Sequence, residues 1–83
     1  DIFNLITSAQ IRAARALLDW SRQTLSERSG VGISALMRLE SAAGIPGGNI
    51  KTFEAVQNAF EKAGIAFIGS PDDGPGVRLF TKG

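Results

Sequence analysis

The 83-residue chain contains no histidine and no cysteine. Imidazole acids and bases, thiol nucleophiles, the usual zinc ligand sets and disulfides therefore drop out together. Its serines have no histidine to take their proton, and no glycine loop followed by lysine is present to cradle a phosphate. The charged side chains are nine cations and eight carboxylates, for a net charge of +1. They form no convergent set of acid, base and nucleophile, so the chain is not expected to be an enzyme, and no cofactor, metal or small-molecule effector is implied. Up to Lys51 the cations lead, with Arg12, Arg15, Arg22, Arg28, Arg38 and Lys51 against Asp1, Asp19, Glu27 and Glu40; the rest is balanced or slightly acidic. That distribution leans weakly toward a polyanionic partner, whereas total charge alone is neutral on the question.

The elements that position these groups belong to one small domain over residues 1–83, with 43% hydrophobic side chains. At this size folding removes roughly 60% of the unfolded chain's surface, enough for a modest core without covalent staples. No apolar run approaches the ~18 residues of a membrane span, and no basic segment followed by an apolar stretch marks a signal peptide. A cytoplasmic protein with no membrane partner is expected. The chain opens on Asp1 rather than on a methionine, so its start is treated as provisional.

Thr7 followed by Gln10 is a capping-box pair and predicts a helix start. Ile11, Ala14, Leu17 and Leu18 recur at helical spacing to about Leu18 or Asp19. Ser21 caps a second, two-turn helix over Arg22 to Ser29, anchored by Leu25 and stopped by Gly30 in a left-handed cap. After the turn Val31-Gly32, a third helix runs from Ile33 to about Ser41, and Leu36 and Leu39 continue the apolar series of Leu25 and Val31. Two helices joined by so short a glycine turn bury that series by crossing steeply, which is a helix-turn-helix pattern. Ser41 to Gly48 reads as a loop, and Asn49 or Thr52 caps a fourth helix with Phe53, Val56 and Phe60 as its core stripe, ended by Gly64.

Beyond Gly64 the period changes to two. Ile65 to Ile68 and Val77 to Thr81 read as strands, and Ser70 to Gly76, rich in proline, aspartate and glycine, reads as the turn between them. Ile65, Phe67, Val77 and Leu79 are expected to cover the helical core around Phe53 and Phe60. Ile68 and Phe80 fall on the other face. An outer edge with apolar neighbours invites a second copy, so a homodimer through the C-terminal hairpin is expected, against a monomer whose second hairpin face packs on helix 1 or on Ile2 to Ile6.

The stretch from Trp20 to Val31, continued by Leu36-Met37-Arg38-Leu39-Glu40, resembles the Cro/repressor-type (XRE-like) helix-turn-helix family of bacterial and phage transcriptional regulators over about residues 7–64. The resemblance implies a mostly α, compact four-helix lambda-repressor-like DNA-binding domain, here with a C-terminal β-hairpin over about 65–82. It also implies transcription regulation, as a repressor reading the major groove of double-stranded DNA with helix 3. By position, the base-reading residues it implies are Ile33, Ser34, Met37 and Arg38, with Ser21, Arg22 and Lys51 on phosphates. Arg38 leads, because a guanidinium donates two hydrogen bonds to one guanine. Arg15 and Glu40 correspond to a structural ion pair between helix 1 and the end of helix 3. Departures from the family pattern are Gly32 as the helix 3 cap, an apolar Ile33, Ser26 where a small alanine is usual, and Asp19 where glycine is frequent.

Duller readings stand beside these. Ile33 and Met37 lie at the margin of the apolar face and are read equally as core. Trp20 is a packing residue at the corner of helices 1 and 2, and Arg12, Arg28 and Lys62 are solvated charges. The rival to a DNA reader is an antitoxin-like or adaptor module that keeps the fold and binds a protein through the face carrying Ile33 and Met37.

Overall fold

The computed structural model describes residues 6–42 and 49–80. Residues 43–48 of the loop expected over Ser41 to Gly48, the stretch Ile2 to Leu5 and the expected hairpin end at 81–82 lie outside them, while Ser41 itself is the last residue of the third helix. Among the described residues four helices are followed by an antiparallel hairpin: α1 (Ser8–Leu18), α2 (Arg22–Ser29), α3 (Ile33–Ser41), α4 (Ile50–Lys62), β1 (Ile65–Ser70) and β2 (Asp73–Leu79). The class is mostly helical, and no helix among the described residues is long and apolar enough to cross a membrane.

Local chemistry sets each boundary. At α1 the Thr7 hydroxyl accepts from the Gln10 amide at 3.1 Å, while Gln10 Oε1 accepts from the Thr7 amide at 2.8 Å, closing the capping box. The helix ends on Asp19, held left-handed at φ 56°, where the family resemblance has glycine. A short polar side chain tolerates that region better than other non-glycine residues do. Ser21 caps α2 by accepting from the Thr24 amide at 3.0 Å, and Gly30 at φ 75° ends it.

The turn into α3 is fastened by side chains of α2. Ser26 Oγ donates to the Val31 carbonyl at 2.6 Å; Ser29 Oγ donates to the Leu25 carbonyl at 2.7 Å and accepts from the Val31 amide at 3.2 Å. Ser26 thus supplies a bond that an alanine would not. Gly32 stands at the α3 cap without a side-chain hydrogen bond, and Asn49 rather than Thr52 caps α4 through the Lys51 amide at 2.8 Å.

The core gathers Ile11 of α1, Leu25 of α2, Leu36 of α3, Val56 and Phe60 of α4, and Ile65 of β1, joined by Ile6 and Val31. Each such side chain stabilises the fold by roughly 1.5–3 kcal/mol. Trp20 stacks on Phe60 with ring centroids 5.7 Å apart, and Phe67 meets Phe60 edge-on at 5.9 Å. Phe67, Val77 and Leu79 pack on this core, while Ile68 and Phe80 remain 39% and 59% exposed.

The hairpin is longer than its sequence predicts. Ile65 pairs with Leu79, Phe67 with Val77, and Ile68 with Gly76; after a register irregularity Ser70 pairs with Asp73, leaving only Pro71 and Asp72 between the strands. Ser70 to Gly76 is therefore not one turn, because the irregularity absorbs the extra residue and keeps the chain laddered. Gly69 at φ 75° allows this: a Cβ there would run into the backbone oxygen of Gly74.

Gln10 ties the hairpin to α1. Its Nε2 donates to the carbonyls of Ile68 at 3.1 Å and Gly76 at 2.8 Å, so one buried amide serves both the start of α1 and the paired strands.

Candidate functional site

The phase of α3 divides its side chains. Leu36, Leu39 and Glu40 are buried, Ser34, Met37, Arg38 and Ser41 are exposed, and Ile33 is half-buried. Met37, 51% exposed, is not a core residue, since Leu36 and Leu39 already fill the inward face.

Glu40 fixes how that face is presented. Its side chain is only 2% exposed, and Arg15 grips it with two parallel bonds, Nε to Oε2 at 2.9 Å and Nη2 to Oε1 at 2.7 Å. The third Arg15 nitrogen, Nη1, donates to the Trp20 carbonyl at 3.0 Å. Arg22, from the first turn of α2, reaches Glu40 Oε1 at 3.3 Å, and Arg12 of α1 donates to the Glu40 backbone carbonyl. Ser8 of α1 donates to the carbonyl of Leu39 beside it. One carboxylate and two carbonyls at the end of α3 thus take donors from α1 and α2. Burial pushes the Glu40 carboxyl up, but hydrogen bonds from Arg15 and Arg22, and their charges, outweigh it and hold its pKa below the ordinary 4.5.

The arginines sort cleanly. Arg12, Arg15 and Arg22 are tied to Glu40. Arg28 lies over the Trp20 ring, 5.1 Å from its centroid, and Arg78 lies 5.8 Å from that of Phe80. Arg38 is exposed, and among the described residues no carboxylate, carbonyl or ring holds its guanidinium. Arg12 and Arg28 are therefore not the simple solvated charges that their positions in the sequence indicate.

Of the residues singled out from sequence, the structure brings Arg15, Arg22 and Glu40 into one cluster and places Ser34, Met37 and Arg38 on one face, with Ile33 at its margin. Arg22, 38% exposed, is partly committed to Glu40, and its buried Nε meets no acceptor among the described residues. Ser21 is exposed with its Oγ occupied as a cap, 3.0 Å from the Thr24 hydroxyl. Lys51 projects from the first turn of α4, and Ile68 and Phe80 lie on the hairpin. Sequence reasoning missed Ser8, the backbone role of Arg12 and the reach of Gln10; only the capping-box position of Gln10 was visible beforehand. Among the described residues no group of three His, Cys, Asp or Glu side chains could hold a metal ion.

A scan against protein-family models and a search of curated proteins return no match for this chain.

Proposed function

We propose that the chain is a sequence-specific double-stranded DNA-binding domain of the Cro/repressor type, with the lambda-repressor-like arrangement of helices, and acts as a transcriptional repressor by occupying an operator. The observation that carries this reading is the disposition of the arginines: among the described residues five are engaged, while the sixth, Arg38, exposed on the outward face of α3 beside Ser34 and Met37, meets no side-chain partner among them. Two helices crossing at a three-residue glycine turn are the usual means of setting such a face into a major groove. In this reading Ser34, Met37, Arg38 and the margin residue Ile33 face base edges. Ser21, the outer side of Arg22, and Lys51 with the first amides of α4 take phosphates. A two-fold dimer through Ile68 and Phe80 sets two copies of α3 about 34 Å apart, one turn of the duplex. No cofactor enters.

The second reading, an antitoxin-like or adaptor module binding a protein, is favoured by one observation, the half-exposed Met37 at the centre of the same face. Salt separates the two. With Arg22 and Lys51 on phosphates in each of two copies, the slope of log affinity against log salt is about −3.6, a loss of about a hundredfold between 50 and 200 mM. Titrating a fluorescent duplex pool at several salt concentrations measures it. No binding at the lowest salt, or an affinity indifferent to salt, overturns the DNA reading.

A further inference from the structure

We infer that the α3 face reads a guanine with a thymine one or two base pairs away; this rests on the DNA-binding reading above. Residues four apart on a helix stack along one line, so the exposed face carries two parallel rows. One is polar, Ser34 and Arg38; the other is apolar, the exposed Met37 with the half-buried Ile33 a turn before it. Each matches one feature of the major groove: guanine offers two acceptors, O6 and N7, to a guanidinium, and thymine offers a methyl group to an apolar side chain.

The remaining bases are disfavoured by what the helix lacks. Adenine is recognised by the paired donor and acceptor of Asn or Gln, and α3 contains neither. Cytosine presents an amino donor best met by a carboxylate, but the single carboxylate of α3, Glu40, is 2% exposed and already bonded to Arg15 and Arg22, and the Ser34 hydroxyl, which donates or accepts, favours no one base. Arg38 breaks no bond among the described residues when it turns to a base. Met37 is unbranched and adapts its shape to a methyl group. Consecutive Cα atoms lie about 3.8 Å apart and stacked bases about 3.4 Å apart, so neighbouring side chains meet neighbouring or next-neighbouring base pairs.

Selection from a pool of random duplexes is expected to enrich sites with a guanine and a thymine at that spacing. Replacing this thymine by uracil removes only the methyl group; it is expected to weaken the parent about fourfold and to leave Met37→Ala binding unchanged. Arg38→Ala is expected to lose roughly 5- to 150-fold of its preference for the guanine. Both side chains are exposed, so both variants should keep the parent's urea midpoint. If Arg38→Ala retains the guanine preference, or uracil binds the parent as well as thymine does, the base assignment is overturned while DNA binding stands. If no duplex is enriched, the assignment falls together with the DNA reading.

Discussion

Replacing Glu40 by alanine tests whether α3 is held by its far end. The substitution removes two charge-assisted bonds of 2.7 and 2.9 Å from Arg15, whose side chain is 20% exposed and regains only part of its hydration. At the low end for bonds to a charged group these contribute about 3 kcal/mol together. The Arg22 contact, longer at 3.3 Å and at a 38% exposed side chain, adds less than about 1 kcal/mol. Alanine returns a few tenths of a kcal/mol through helix propensity. The net cost is therefore about 3 kcal/mol, at the lower edge of the range for breaking a buried pair.

A domain of this length holds about 4–12 kcal/mol in total, so the loss is a large share of its stability. Urea unfolding followed by fluorescence reads it directly. Trp20 is the only tryptophan, its carbonyl accepts from Arg15, and its ring rests on Phe60. With an m-value of about 1 kcal/mol/M the midpoint should fall by about 3 M. Arg15→Ala should cost nearly as much, and the double variant little more than either alone, giving a coupling of about 2–3 kcal/mol. A Glu40→Ala midpoint within about 0.5 M of the parent, or additive single effects, would refute the clamp.

Because the folded pKa of Glu40 lies below 4.5, its contribution is complete above that pH and is lost as the pH falls through the lowered value; urea midpoints from pH 6 to pH 3 should fall more steeply in the parent than in Glu40→Ala. Gln10→Glu keeps an acceptor for the Thr7 amide but sets an oxygen against the carbonyls of Ile68 and Gly76, at a cost of about 2–3 kcal/mol. That deficit should shrink in acid, where a protonated carboxyl donates again, and a deficit independent of pH would count against the bridge. In the proposed hairpin dimer Phe80→Asp should lower the sedimenting mass to that of a monomer, and an unchanged mass would remove the hairpin from the assembly.

The helices were legible because their ends are written locally. Thr7 with Gln10, Ser21, Gly30 and Asn49 act within a turn of themselves, and Ile11 with Ala14, Leu36 with Leu39, and Phe53, Val56 and Phe60 repeat at helical spacing within their own helices. The hairpin was less legible, because proline, aspartate and glycine in Ser70 to Gly76 read as breakers, while a register irregularity and positive φ at Gly69 and Gly74 let most of them join a strand. The phase of Leu36 and Leu39 left Ile33 and Met37 at the margin of the apolar face, and only the structure turns Met37 outward. The pairing of Arg15 with Glu40 followed from the family resemblance, but the partners of the other arginines did not: whether Arg28 rests on Trp20, or Arg22 turns inward to Glu40, is decided by how helices cross, and nothing in the spacing records that.

The single amide of Gln10 makes order at the front of the chain conditional on order at the back. Its two acceptors lie 58 and 66 positions away, yet the same group completes the first turn of α1. Fraying that begins in the final strands therefore propagates to the opening helix instead of stopping at the hairpin, which favours all-or-none melting. Deleting everything after Gly64 would not yield a trimmed four-helix body of equal robustness, since the N-terminal turn would be left with half its anchorage.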